Sequence, residues 1–181
     1  DTASGDTAAG DTASDEPSLI ETLGCTESTF DGAATVFCPT DVTWLSARET
    51  CLSLDMDLVS IQSLSEAEWL DEQASDLDDG PWFIGFSDRG PREGTWYWSD
   101  GSDVTFEAWA PGEPNDAGGR EDCGAMGWGD EVDAGWNDLP CTETHPFICQ
   151  GPSDGTGDGD DDAAADDTTG GDDTTGGDDT T

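Results

Sequence analysis

Two short stretches concentrate the side chains best suited to hold a hard cation. Residues 113–123 read EPNDAGGREDC and put Glu113, Asn115 and Glu121 in one loop, with Asp116 and Asp122 beside them. Residues 136–138 read WND and add Asn137 and Asp138. Carboxylate and amide oxygens are what calcium takes, six to eight of them at about 2.3–2.6 Å. If the strands next to Cys123 and Trp136 are neighbours, Glu113, Asn115, Glu121, Asn137 and Asp138 surround one ion and leave places for water or a ligand. Pro114 adds a constraint, because an X-Pro bond can be cis at modest cost. A cis bond here would aim the Glu113 and Asn115 oxygens the same way. Spacing alone leaves a plain acidic turn as the alternative.

The charge points towards cations as well. The chain has 181 residues, 44 acids, four arginines and no lysine, for a formal charge of −40. Such a field repels nucleic acid and anionic membrane surfaces. Six cysteines with one histidine and no CxxC pair argue against zinc. They read as three disulfides in an oxidising compartment, hence a secreted or cell-surface protein. No apolar run approaches the ~20 residues of a membrane span. With no initiator methionine and no signal peptide, the sequence reads as a mature chain or an excised fragment.

The elements that must position these ligands lie in the centre. Residues 1–17 carry the repeat DTASG DTAAG DTASD, and the C-terminal end repeats TTGGDD. Neither has a large apolar residue, so both read as disordered acidic linkers, 1–17 and 151–181, around a folded domain at 18–150. All four arginines and 28 of the acids fall in that domain, leaving it at about −24. Two helices are expected. One spans 42–54, capped by Asp41 or Thr43, with Trp44, Leu45, Cys51, Leu52 and Leu54 near one face. The other spans 65–76, with a capping box at Ser65–Glu68 and Trp69 and Leu70 inward. Strand-like runs lie at 34–38, 58–61, 82–86, 95–98, 123–126 and 146–149. The stretch 99–140 is rich in Gly, Pro, Asp and Asn, and loops of that length are usually functional. The fold class is α+β: two helices, small antiparallel sheets and a long loop region.

Taken in order, WLSARETC, WFIGFSD, GTWYWSDG, AWAPGEPND, EDC, GWNDLPC and PFIC resemble the C-type lectin-like domain over nearly all of residues 25–149. The resemblance implies a double-loop fold with adjacent N- and C-terminal strands. It also implies the disulfides Cys25–Cys38, Cys51–Cys149 and Cys123–Cys141, the first as in longer members of the family. It places a calcium site on Glu113, Asn115, Glu121, Asn137 and Asp138. The E-P-N order resembles the mannose-type version, whose ligands are mannose, glucose, N-acetylglucosamine or fucose. In that version Glu113, Asn115, Glu121 and Asn137 also bind the sugar hydroxyls. An auxiliary calcium site falls on Asp88, Glu93, Asp116 and Asp122, with Asp88 and Glu93 one residue further apart than in mannose-binding relatives. The loop between Cys123 and Trp136 is longer than usual, so sugar preference does not carry over directly.

The implied function is a calcium-dependent carbohydrate-binding module, with a glycan partner. The alternative is a calcium-stabilised protein-binding or surface-adhesion module without sugar binding. Bulk cation binding by the aspartate repeats is a third reading, and no catalytic constellation supports an enzyme. A single shallow sugar site is weak, so useful affinity needs several copies, and the acidic linkers suit extended spacers. Those linkers resemble ones on secreted or lipid-anchored bacterial surface proteins. Of the tryptophans, Trp69, Trp82, Trp96 and Trp98 suit packing and Trp136 suits anchoring the loop. Trp128 sits among Gly and Asp where it could stack on a sugar. His145 reads as a surface or packing residue, and Arg120 as locally paired with an acid.

Overall fold

The computed structural model describes residues 18–127 and 135–152. Residues 1–17, 128–134 and 153–181 lie outside the described residues, and with them the reading of the two ends as acidic linkers (all but Gly151 and Pro152) and that of Trp128. In chain order the elements are α1 (Leu19–Leu23), β1 (Thr26–Phe30), β2 (Ala33–Val42), α2 (Trp44–Ser53), β3 (Asp57–Leu58) and α3 (Leu64–Ser75). β4 (Trp82–Ser87), β5 (Tyr97–Trp98), β6 (Cys123–Met126), β7 (Asn137–Leu139) and β8 (His145–Gln150) follow.

The N-terminal elements α1 and β1 are additions to the sequence reading. Ser18 and Glu21 form a reciprocal capping box around the single turn of α1. β1 and β2 form a hairpin through Asp31 and Gly32, which have φ of 47° and 81°. Asp-Gly with two positive φ angles is the connection that suits the strand twist. A Cys25–Cys38 disulfide closes the hairpin. β2 lies antiparallel to β8, so the first long strand and the last are neighbours. The sheet continues β8-β4-β6-β7, with the β4–β8 pairing parallel at Phe83 and Phe147.

Alternation along the strands divides the core in two. Phe37, Trp82, Ile84, Phe86, Met126 and Ile148 enter one cluster, whereas Val36, Cys38, Phe83, Ala125, Phe147 and Cys149 enter the other. Successive strand side chains point to opposite faces, so one sheet serves both clusters. All six residues of β4 are buried, as expected of a strand covered on both faces.

The helices correct two details of the sequence reading. Thr43 caps α2, and Trp44, Ala47 and Cys51 form its buried stripe. Leu45 and Leu52 are 50% and 52% exposed, so they do not share that face. The Cys51–Cys149 disulfide fixes the helix on β8 and thereby selects the inward side. In α3 the cap is Ser63, whose hydroxyl accepts from the Glu66 N–H, two residues before the expected Ser65–Glu68 box. Glu66 then reaches back to the Gln62 N–H rather than to the cap residue. Leu70 is buried, and Trp69 packs half-buried against Phe30 and Phe37.

Arg48 ties α2 to β3 and to the turn after β5. Its Nε and Nη2 donate to Asp57 at 3.0 Å each, and Nη2 also donates to the Ser99 carbonyl at 2.6 Å. Burial disfavours the Asp57 carboxylate, but hydrogen bonds from Arg48, Ser99 and the Leu58 N–H outweigh it and hold its pKa below the usual range. A lowered folded pKa contributes stability that is complete above the unfolded value and is lost as pH falls through the folded one. Asp57→Ala is expected to cost about 1–2 kcal/mol at neutral pH, discounted because Arg48 keeps solvent contact. The difference from wild type should vanish in acid. Urea unfolding at neutral pH and well below the lowered folded pKa checks this.

Candidate functional site

The loop between β5 and β6 is held down by tryptophans. Trp136 is fully buried and meets Trp98 and Phe106 edge-on, at centroid distances of 5.6 and 5.8 Å. Its backbone forms a parallel bridge with Trp109. The Ala110 N–H donates to the Trp136 carbonyl and the Trp136 N–H to the Ala108 carbonyl, each at 2.8 Å. These bonds lay the chain before Glu113 against the chain that enters β7.

Asp138 completes the connection. It is fully buried, and its two carboxylate oxygens accept the Asn115 and Asp116 N–H groups at 3.0 and 2.7 Å. The Glu113–Pro114 bond is cis. The Asn115 amide donates to the Glu113 carboxylate. Glu121 accepts the Ala117 N–H at 2.7 Å, and its own N–H donates to Asp116 Oδ1 at 3.3 Å. Glu113 is held above the usual glutamate pKa, first by desolvation and then by the Asp138 carboxylate, with Glu121 adding to it. The Asn115 hydrogen bond opposes this rise. Four of the five residues named from sequence therefore meet through direct contacts or through-space charge. The fifth, Asn137, adjoins Asp138 in β7, is 5% exposed, and leaves its Oδ1 buried without a hydrogen-bond partner.

A buried amide oxygen without a donor costs free energy unless something positive meets it. Carboxylates crowded enough to raise a pKa pose the same demand. Together they fit a hard divalent cation, whose ligands are oxygens of these types.

A second group lies nearby. Ligand oxygens of Asp88, Glu93 and Asp122 lie within 4.8 Å of one another. The Asp88 N–H donates to the Asp122 carbonyl at 3.3 Å, which joins the 88–93 loop to the chain entering β6. Asp88 is 2% exposed; Oδ2 accepts the Gly94 N–H at 2.8 Å, and Oδ1 has no partner. The charge of Asp88 raises the Glu93 pKa most, with Asp116 and Asp122 contributing less. The longer Asp88–Glu93 spacing does not keep Glu93 away. An open groove lined by Gln62, Glu66, Asp100, Ser102, Thr105 and Gln150 shares no residue with either group.

Residues 40–151, well over half the chain, match the family described as Lectin C-type domain. The chain belongs to the C-type lectin domain family. Ladderlectin of Oncorhynchus mykiss is 36% identical over 120 residues, covering 65% of this chain and 61% of the ladderlectin. The chain thus spans about three-fifths of that relative's length. Among solved structures, the cow CD23 carbohydrate-recognition domain, determined in the presence of a GlcNAc2Man3 oligosaccharide, is 33% identical with a TM-score of 0.61. That match covers 68% of this chain and 91% of the CD23 domain. A type II antifreeze protein described as calcium-independent is 31% identical with a TM-score of 0.60, covering 68% of this chain and 89% of its own.

C-type lectin domains typically bind calcium, and the family is generally one of calcium-dependent carbohydrate binders. Its α+β fold and three disulfides are those of this chain, with Cys123–Cys141 joining the start of β6 to the residues after β7. None of the relatives named here is bacterial, so they lend no support to a bacterial source for the linkers. Among the described residues, no helix is long and apolar enough to cross a membrane. His145 packs edge-on against Phe83 at 5.0 Å. In this C-type lectin domain Arg120 has no acid within ion-pair distance among the described residues, contrary to its expected local pairing. The sequence reading also missed the positioning part of Asp138, whose two backbone acceptor bonds require the folded loop to be seen.

Proposed function

We propose that this domain is a calcium-dependent carbohydrate-binding module that recognises vicinal sugar hydroxyls. The observation that carries the proposal is the buried, unpartnered Asn137 Oδ1 beside Asp138, Glu113, Asn115 and Glu121. In this reading those five residues hold calcium, and Asp88, Glu93, Asp116 and Asp122 hold an auxiliary ion. Bound calcium supplies a centre of positive charge to which two neighbouring hydroxyl oxygens are drawn. The Glu113 and Glu121 carboxylates accept the hydroxyl protons, and the Asn115 and Asn137 amides donate to the hydroxyl oxygens. Such charge-assisted bonds are the stronger class. The Asn115 amide now satisfied by Glu113 is the donor that turns to the sugar. No covalent bond changes, so the activity is recognition rather than catalysis. Mannose, glucose, N-acetylglucosamine and fucose are the expected ligands, and the setting is secreted or cell-surface.

A glycan array run with about millimolar calcium and again with EDTA tests the reading. Binding to mannose-, fucose- or glucosamine-type glycans should disappear with EDTA and be competed by free monosaccharide. The calcium-independent antifreeze relative favours one second reading, a module of this fold whose ligand is not a sugar. In that case calcium would raise the Tm while the array stayed blank in both conditions.

A pH dependence follows from Glu113. Its folded, ion-free pKa is raised, so protonation stabilises the ion-free domain as pH falls through that value. Calcium needs the deprotonated form. The rise in Tm on adding calcium should therefore shrink as pH falls from neutral towards the raised value, with release of bound sugar. Calorimetry across that range checks both. A calcium shift that stayed constant into acid would remove Glu113 from the ligand set.

A further inference from the structure

The chain has four arginines and no lysine, and their placement is uneven. Arg48 is the structural one, bonded to Asp57 and the Ser99 carbonyl. The other three are Arg89, Arg92 and Arg120, and all three are exposed. Arg89 and Arg92 lie in the 88–93 loop with Asp88 and Glu93, and Arg120 lies in the 113–122 loop between Gly119 and Glu121. These two loops meet where Asp88, Glu93 and Asp122 converge. Among the described residues, none of the three guanidinium groups pairs with an acid within 4.0 Å, in a domain that has acids everywhere.

An arginine surrounded by surplus carboxylates would be expected to pair with one. Three that make no such pair among the described residues, on the loops bearing the proposed ligands, bring five N–H donors each to this part of the surface. The planar guanidinium matches the oxygens of a carboxylate, sulfate or phosphate group two at a time. The acids beside these arginines, Asp88, Glu93, Glu121 and Asp122, are proposed calcium ligands, so bound calcium offsets their charge, while the more distant acids are screened beyond about 8 Å at physiological salt. The overall charge of −40 does disfavour a long polyanion, which must cross the remaining acidic surface.

We infer that Arg89, Arg92 and Arg120 form a cationic rim that selects glycans carrying one anionic substituent, a sulfate ester or a carboxylate, next to the calcium-bound sugar. The inference rests on the carbohydrate-binding function proposed above and supplies the ligand class within it. The calcium-bound hydroxyls give affinity for the sugar, and the rim discriminates among sugars that share those hydroxyls. An exposed ion pair contributes up to about fivefold in affinity. Two or three acting on one anion give a preference of about tenfold.

The test is titration of the full chain, in millimolar calcium, with matched oligosaccharides. One is neutral, one bears a single sulfate, one ends in a sialic acid carboxylate, and one is a heparin-type polyanion. Either or both monoanionic ligands should bind about tenfold tighter than the neutral one, and the polyanion should gain nothing further. Arg89→Gln, Arg92→Gln and Arg120→Gln combined should abolish the preference while leaving neutral-sugar affinity and the calcium-induced rise in Tm unchanged. The three lysine replacements, which keep the charge, should restore part of it. Equal binding of neutral and monoanionic sugars by the wild type overturns the inference and leaves the lectin function standing. Absence of EDTA-sensitive binding to any sugar, the neutral one included, overturns the proposed function as well. Loss of neutral-sugar binding in the triple variant would also overturn the rim, since the arginines would then act on the site as a whole.

Discussion

Asp138→Ala is expected to abolish calcium-dependent glycan binding, weakening it by about two orders of magnitude or more. The residue is proposed as a ligand, and its carboxylate also holds the two N–H groups that follow Pro114. Hydrogen bonds to a charged acceptor each contribute about 1.5–3 kcal/mol. Losing two at once releases the loop carrying Glu113 and Asn115, even though water can meet part of the exposed demand. The ion-free domain should therefore also lose about 1–3 kcal/mol of stability. Glu113→Gln makes the contrasting case. It removes a proposed ligand charge but relieves the carboxylate crowding that raises the Glu113 pKa. It should abolish the calcium response and sugar binding while leaving the ion-free Tm equal to or above wild type. Thermal unfolding with calcium and with EDTA, paired with a sugar titration, separates the two outcomes. EDTA-sensitive binding by Asp138→Ala within about tenfold of wild type would show that the ligand set is wrong.

The largest stability effect is expected from removing the Cys51–Cys149 disulfide by the double alanine substitution. The bond spans 98 residues and both cysteines are fully buried. The chain-entropy estimate for a loop of that length is about 4–5 kcal/mol. A domain with about 5–15 kcal/mol of total stability cannot lose that amount without a large fall in Tm, on the order of 10–20 °C. Removing Cys25–Cys38, with a separation of 13, should cost about 3 kcal/mol or less by the same relation. Its effect should stay within α1 and the β1–β2 hairpin and leave calcium affinity intact. Differential scanning calorimetry of the two double variants gives the ranking. Equal losses would mean that the long loop retains structure when unfolded.

The sequence was informative where the local chemistry was its own cause. Thr43 can cap a helix wherever it lies, and WFIGF reads as a buried strand because it has no polar face. Other features depended on long-range choices. Leu45 and Leu52 are apolar at positions that suit a helix face, yet the disulfide to β8 selects Trp44, Ala47 and Cys51 instead. The α3 cap moved to Ser63 because two serines, Ser63 and Ser65, compete within one turn, and local propensity does not rank them. The α1 turn is too short for a periodic signal. At the site, residue types were legible, but their convergence depends on the Trp109–Trp136 bridge and on Asp138, neither of which spacing can reveal. Family resemblance supplied that step from the sequence. That Arg89, Arg92 and Arg120 make no ion pair among the described residues became apparent only with the loops folded.

The connectivity of the disulfides has a mechanical consequence. Tension applied through the segments flanking the domain passes across Cys25–Cys38, along the chain to Cys51, and across Cys51–Cys149 to the exit. Between the first cysteine and the last, only the stretch from Cys38 to Cys51 lies in series with the load and outside a covalent shortcut. Every proposed ligand, from Asp88 to Asp138, lies inside the loop closed by Cys51–Cys149. A pulled domain can pay out the end of β2 after Cys38 and α2 as far as Cys51, whereas the ion-binding loops carry no force through the backbone. Tension along the flanking segments can therefore lengthen the domain without separating the proposed ligands from one another.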